Sequence, residues 1–90
     1  MKMTETLKLN DGTVLENSSA ILSSDLFVYI HDSDLQTVFD LLIDPENTKK
    51  IICTQVNGEF VTFVGYEKLR AVTDEGNGLI TAVLRKEVSE

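Results

Sequence analysis

The fold is indicated most clearly by residues 51–64, which read IICTQVNGEFVTFV. Two apolar runs, Ile51 to Val56 and Glu59 to Val64, flank the pair Asn57-Gly58. Asn-Gly between apolar runs favours a two-residue hairpin turn, because such a turn needs positive φ at its central residues. We therefore predict an antiparallel hairpin with a two-residue turn in this segment.

The N-terminal part of the chain repeats this pattern. Short apolar runs at residues 7–9 and 14–16 flank Asn10-Asp11-Gly12, which predicts a second hairpin. Residues 20–22 have the composition of a short edge strand. Residues 26–30, Leu-Phe-Val-Tyr-Ile, predict a strand, and their continuous apolarity indicates that both of its faces are partly covered.

The C-terminal part also reads as antiparallel sheet. Gly65 predicts a bulge or bend, because glycine inside a strand pattern weakens the strand. Residues 66–73 are predicted to continue as a strand, and residues 74–78 to form a loop. Residues 79–87 predict the last strand, in which Leu79, Thr81, Val83 and Arg85 alternate with Ile80, Ala82, Leu84 and Lys86.

One helix is predicted, at about residues 33–43. Ser33 and Gln36 have the spacing of a capping box, and Asp34 would lie in the first turn, where a negative charge suits the helix dipole. Asp44-Pro45 should end this helix, and Pro45 can open one further turn. Four apolar residues at helical spacing should form its buried stripe: Leu35, Val38, Phe39 and Leu42.

These elements place the chain in the α+β class. We predict mostly antiparallel β-structure, with about six strands and one α-helix. One helix cannot cover both faces of a six-stranded sheet, so the sheet should curl into a sandwich or a small barrel. The 90 residues, 42% hydrophobic and 26% charged, should form a single domain over 1–90.

The charge distribution is strongly uneven. The net charge is −7, and there is no Lys or Arg between Lys8 and Lys49. Because nucleic-acid and anionic-membrane binding need basic patches, we expect neither as a direct ligand. The acidic stretch either meets a basic partner or keeps a small protein soluble. A candidate acidic interaction face comprises Asp32, Asp34, Asp40, Asp44 and Glu46.

The sequence predicts no catalytic, cofactor-binding or metal site. A Cys–His nucleophile would need His31 and Cys53 to meet, and nothing in the sequence brings them together. Cys53 follows Ile51-Ile52 and is expected to be a buried, inert thiol. A transition-metal site would need more than one His or Cys. We therefore expect a protein that is not an enzyme.

The first five residues lack the apolar stretch of a signal peptide, which predicts synthesis in the cytoplasm without export.

Several segments together resemble a known group of proteins. They are residues 9–15, 26–30, 39–48 with LIDPENT at 42–48, GYEKL at 65–69, and the closing strand at 79–86. In this order they resemble a family of small proteins encoded in phages and prophages of Gram-positive bacteria, near tail genes. The resemblance implies a virion-associated or assembly role and no catalytic residues.

Three hypotheses follow for function. The first is a non-enzymatic phage or prophage structural or assembly protein, tail-associated, that contacts other proteins or further copies of itself and is incorporated in a phage particle. The second is a small acidic inhibitor that mimics nucleic acid and binds a basic host protein. The third is an adaptor domain that docks peptides on a sheet edge. Candidate contact edges are those left by the hairpin at residues 7–16 and by the last strand.

Overall fold

The computed structural model describes residues 5–86, which contain eight β-strands and two helices. The helices, α1 (Leu35–Leu42) and α2 (Pro45–Thr48), lie between the fourth and fifth strands. The strands, in chain order, are β1 Thr6–Lys8, β2 Val14–Glu16, β3 Ser18–Leu22, β4 Leu26–Ile30, β5 Lys50–Thr54, β6 Phe60–Val64, β7 Lys68–Gly76 and β8 Leu79–Arg85.

The strands form two separate antiparallel sheets. Sheet A has the order β2-β1-β5-β6, and sheet B has the order β3-β4-β8-β7. The prediction of an α+β fold dominated by antiparallel strands is confirmed. The prediction of about six strands in one curled sheet is wrong, because eight strands in the described part of the chain divide equally between two sheets.

Two backbone bends divide the chain between the sheets. Asn17, with φ 57°, is the single residue between β2 in sheet A and β3 in sheet B. Gly65, with φ 90°, ends sheet A, since its N–H still donates to Lys49 O at 2.9 Å. Tyr66 and Glu67 then cross to sheet B, so the strand predicted from residue 66 begins at Lys68 instead. A positive φ at a single residue is not visible in an apolar pattern, which explains the missed division.

The hairpin turn between β5 and β6 also differs from the prediction. Gln55 N–H donates to Glu59 O at 2.7 Å, which closes a three-residue loop with Gly58 at φ 93°. Asn57 Oδ1 accepts from Glu59 N–H at 3.0 Å. The β1–β2 hairpin is built in the same way, with Asp11 in the place of Asn57. An Asx side chain that accepts from the N–H two residues later stabilises the turn that precedes a left-handed glycine.

The two-residue turn lies elsewhere, at Asn77-Gly78 between β7 and β8. Both residues have positive φ, 58° and 82°, as such a turn requires. The loop predicted at residues 74–78 is therefore mostly strand, because β7 continues to Gly76. The predicted last strand is confirmed from Leu79 to Arg85, and its predicted end at Glu87 lies outside the described residues.

Helix α1 is shorter than predicted and has a different cap. Asp34 Oδ1 accepts from Thr37 N–H at 2.7 Å, so Asp34 is the N-cap and the predicted Ser33 capping box is wrong. Ser33 N–H instead donates to Gly78 O at 3.1 Å, which holds Ser33 against the β7–β8 turn. The further turn predicted at Pro45 is confirmed as α2, which Asp44 caps.

The inner faces of both sheets and one side of α1 form one hydrophobic core. In β4 and β8 every second residue is buried, as strand alternation requires. The buried members are Leu7, Leu9, Ile51, Cys53 and Phe63 from sheet A and its β1 end, Leu26, Val28, Ile30, Ile80, Ala82 and Leu84 from sheet B, and Val38 and Leu42 from α1.

The predicted buried stripe of α1 is only half correct. Val38 and Leu42 are fully buried, but Leu35 and Phe39 are 42% and 41% exposed. The helix therefore presents two apolar stripes, one to the core and one to solvent beside β7.

Candidate interaction surfaces

His31 and Cys53, the two residues that a Cys–His nucleophile would need, lie on different elements. His31 is exposed in the connection from β4 to α1. Cys53 is buried in β5, where its Sγ donates to Glu5 Oε1 at 3.6 Å. Burial raises the pKa of the Cys53 thiol, and the nearby Glu5 carboxylate raises it further, so the thiolate is disfavoured. Within residues 5–86, no group of three or more His, Cys, Asp or Glu side chains is placed to hold a metal ion.

The acidic residues singled out by the sequence lie along α1, α2 and the connection before them. All five are exposed: Asp32, Asp34, Asp40, Asp44 and Glu46. The backbone N–H of Thr37 lowers the pKa of Asp34, as expected for an ionised N-cap. Asp44 in the same way accepts from Glu46 N–H at 3.0 Å. These two carboxylates thus have a structural role in starting the helices.

The remaining acids of this group also have local partners. Asp40 accepts from Gln36 Nε2 at 2.8 Å, one turn earlier on α1. Asp32 accepts from Asn17 Nδ2 at 3.1 Å, and Glu46 forms an exposed ion pair with Lys49 at 3.5 Å. Exposed pairs of this kind contribute little to stability and leave the carboxylates open to solvent.

A groove runs between α1 and the edge strand β7. Its volume is about 330 Å³. The solvent-facing stripe of α1, Leu35, Phe39 and Ile43, forms one wall. Leu69 to Val72 of β7 forms the other wall, and the strand carries a bulge between Leu69 and Ala71. The groove is thus apolar, with Arg70 as the cation on its β7 side.

The second candidate surface is the open edge of sheet A at β6. Gln55 and Glu59 form a hydrogen-bonded pair, as do Lys49 and Gly65. Because hydrogen-bonding direction alternates along an antiparallel strand, the odd-numbered residues of β6 bond to β5. The backbone N–H and C=O groups of Phe60, Thr62 and Val64 therefore point to the open edge.

The side chains of β6 make this edge apolar on its outer face. Phe60 is 67% exposed and Val64 is 56% exposed, on the same face as Thr62. Val61 is partly exposed on the other face, where Phe63 is buried in the core. The strand contains no charged residue, no proline and no bulge.

The other three edges are less open. Strand β2 has three residues, and β7 has two bulges and lies beside α1. In β3, Ser18 N–H donates to Glu5 O at 3.0 Å, and the backbone of Ala20 lowers the pKa of the Cys53 thiol, so this part of the edge faces β5. Among the described strands, β6 therefore has the longest uninterrupted edge without a partner.

This surface was missed by the sequence reasoning. The last strand was expected to leave an open edge, but β8 lies between β4 and β7 in the interior of sheet B. The expected edge at residues 7–16 is present only as the short strand β2. A signal for β6 existed in the run FVTFV, which is apolar on both faces and carries no charge.

Comparison with protein-family models, with curated proteins and with solved structures finds no match to this chain. Neither helix within residues 5–86 has the length and apolarity needed to cross a membrane. The function therefore has to be inferred from the surfaces themselves, of which the β6 edge and the α1–β7 groove are the strongest candidates.

Proposed function

We propose that this domain is a non-enzymatic structural or assembly protein that acts through protein–protein contacts, of the tail-associated phage or prophage type that its sequence resembles. The observation that carries the proposal is the open β6 edge. Proteins usually blunt such edges with charges, proline, bulges or a covering element, because an open edge pairs with other chains. Strand β6 has none of these devices, which is expected where the edge has a partner to bind.

Strand addition supplies the contact. A partner strand can hydrogen-bond to Phe60, Thr62 and Val64 while its side chains cover the exposed parts of Phe60 and Val64. The main-chain bonds give the attachment, and the apolar side chains lose their contact with water. A single edge contact lies at the small end of specific interfaces, so we expect micromolar rather than nanomolar affinity for one contact. Repetition of the contact in a particle would strengthen the assembly. The protein would be made in the bacterial cytoplasm and incorporated in a phage particle.

The experiment that tests this proposal is absolute mass in solution, measured by light scattering after size exclusion over about a hundredfold range of concentration. An oligomer of defined mass whose population increases with concentration supports assembly. A monomer at every concentration, combined with no binding to isolated tail or capsid components, would rule it out.

A second candidate function is a peptide-docking adaptor, which the α1–β7 groove favours. An extended peptide could insert an apolar side chain between Phe39 and Leu69, and Arg70 would favour a peptide with an acidic residue beside it. Phe39→Ser should abolish peptide binding and leave self-association unchanged, whereas a loss of self-association would point to the groove as the assembly contact.

The acidic-inhibitor hypothesis has a weaker basis, because helix capping already accounts for Asp34 and Asp44. Asp32 and Asp40 are the better residues for a test, since neither caps a helix. Replacement of both by Lys should abolish binding to a basic host protein if such binding exists, and unchanged binding would refute a phosphate-like role.

A further inference from the structure

We propose that β6 pairs with β6 of a second copy of this chain, antiparallel and related by a two-fold axis at Thr62. This inference rests on the proposed assembly function and names its partner. Two copies of sheet A would then join edge to edge into one continuous sheet.

The backbone of β6 is complementary to itself. The outward-facing groups belong to Phe60, Thr62 and Val64, so a two-fold axis at Thr62 places Thr62 opposite Thr62 and Phe60 opposite Val64 of the second copy. In this register each of the three residues donates one N–H and accepts at one C=O. No outward-facing group of the strand is left without a partner.

The side chains are complementary in the same register. Phe60 comes to lie beside Val64 of the second copy on the outer face of the sheet, and an aromatic residue beside a β-branched one is a favourable cross-strand pair. Val61 lies opposite Phe63 of the second copy, which extends the cover over the exposed part of Val61. The two threonines meet at the axis, where their hydroxyls can hydrogen-bond. Both copies contribute the same residues, as an isologous interface requires.

The charges at the ends of β6 favour a second copy over an unrelated partner. The register places Glu59 opposite Gly65 of the second copy. Gly65 has no side chain, and Lys86 fills its place: Lys86 Cε lies 3.5 Å from where a Gly65 Cβ would be. Its ammonium lies 5.8 Å from the centre of the Tyr66 ring. Glu59 of one copy thus meets Lys86 of the other, once at each end of the paired strands. Within residues 5–86, neither side chain has an ion-pair partner in its own copy.

The edge itself is tested with two variants at the axis. Thr62→Pro and Thr62→Val both remove the hydroxyl, but only proline removes the N–H and obstructs a pairing strand. Since this N–H points away from β5, its loss breaks no bond inside the domain. We expect the Thr62→Val protein to dimerise within a few-fold of wild type, and the dissociation constant of Thr62→Pro to rise by about tenfold or more, as measured by sedimentation equilibrium.

The register is tested by charge reversal. Glu59→Lys and Lys86→Glu should each weaken dimerisation several-fold, because each places like charges together at both ends of the interface. The double variant Glu59→Lys/Lys86→Glu should recover dimerisation close to that of wild type. Glu46→Lys, which makes the same charge change on α2, is the control. Its effect on dimerisation should be the same with Lys or with Glu at residue 86. These variants are at exposed positions, so they remain informative if Thr62→Pro fails to fold.

The outcomes separate this inference from the proposed function. A wild-type protein that is monomeric at about millimolar concentration overturns the pairing of β6 with itself. An oligomer that survives Thr62→Pro, or that shows no rescue in the double charge reversal, overturns the β6 contact while self-assembly stands. A loss of dimer in Thr62→Pro together with charge-reversal rescue establishes both the edge and its register.

Discussion

The orientation of α1 leads to a sharp prediction about two leucines in the same helix. Leu42 is 1% exposed and packs in the core, whereas Leu35 faces the groove beside β7. Leu42→Ala should lower the free energy of unfolding by about 2–5 kcal/mol, because it removes buried carbons and leaves a cavity. Leu→Ala removes three carbons, worth roughly 2.4 kcal/mol when fully buried at about 0.8 kcal/mol each. With a little over half of Leu35 buried, and no cavity formed in an open groove, Leu35→Ala should cost about 1–1.5 kcal/mol.

The two variants control for each other, because both replace Leu by Ala in one helix and so make the same change in intrinsic helix propensity. Urea unfolding, with equal m-values in the two variants, measures the difference directly. A 90-residue domain has a total stability of roughly 5–13 kcal/mol, so Leu42→Ala should remove a large part of it. Equal losses in the two variants would show that Leu35 is as buried as Leu42, and the groove described between α1 and β7 would not exist.

Three further predictions concern the cap, the thiol and one turn. Asp34→Ala should lower Tm more than Ser33→Ala. The pKa of Asp34 is lower in the folded protein than its ordinary value of 3.8. The stability that its carboxylate contributes is therefore present at pH values above 3.8 and is lost as the pH falls through the folded-state pKa. Thermal melts at neutral and acid pH test this, and equal effects of both variants would contradict Asp34 as the cap. Cys53, with its raised pKa, should react with a thiol reagent roughly tenfold or more slowly in the folded than in the urea-unfolded protein; equal rates would mean that the thiol is accessible. Gly78→Ala should cost about 1–2 kcal/mol in urea unfolding, because φ is 82° there. Gly78→Asn should cost less, since Asn tolerates this conformation, and the reverse order would contradict the turn geometry.

The strands that were predicted best from the sequence are β4 and β8, in which every second residue is buried in the core. In β4 and β8 each buried residue is apolar, and the partners Ile30 and Ile80 lie opposite each other. Strand β4 could be predicted from its β-branched and aromatic composition, and β8 from its alternating sets of residues, without knowledge of neighbouring strands. The same holds for the end of α1 at Asp44-Pro45, since the residue before proline avoids helical geometry.

The turns and the helix cap were harder because several residues compete for the same role. Two Asn-Gly pairs are present, and only Asn77-Gly78 forms the two-residue turn, while Asn57 uses its side chain to build a longer loop. Ser33 and Asp34 are both good N-caps in isolation. The choice falls on Asp34 because the backbone of Ser33 is bonded to Gly78, a contact 45 residues away in sequence.

Whether an apolar residue is core or interface depends on the strand order, which the periodicity of one segment does not contain. The run FVTFV would be an ordinary interior strand if another strand lay beyond it, because its edge would then be paired and its side chains would have cross-strand neighbours on both sides. In the observed order it is the last strand of sheet A, so its edge is open. Phe63 on its inner face enters the core, while Phe60 and Val64 on its outer face remain on the surface. Helix α1 follows the same logic, with Leu42 inside and Phe39 outside. In both elements the apolar residues outnumber the core positions available to them, and the excess is where partners are expected to bind.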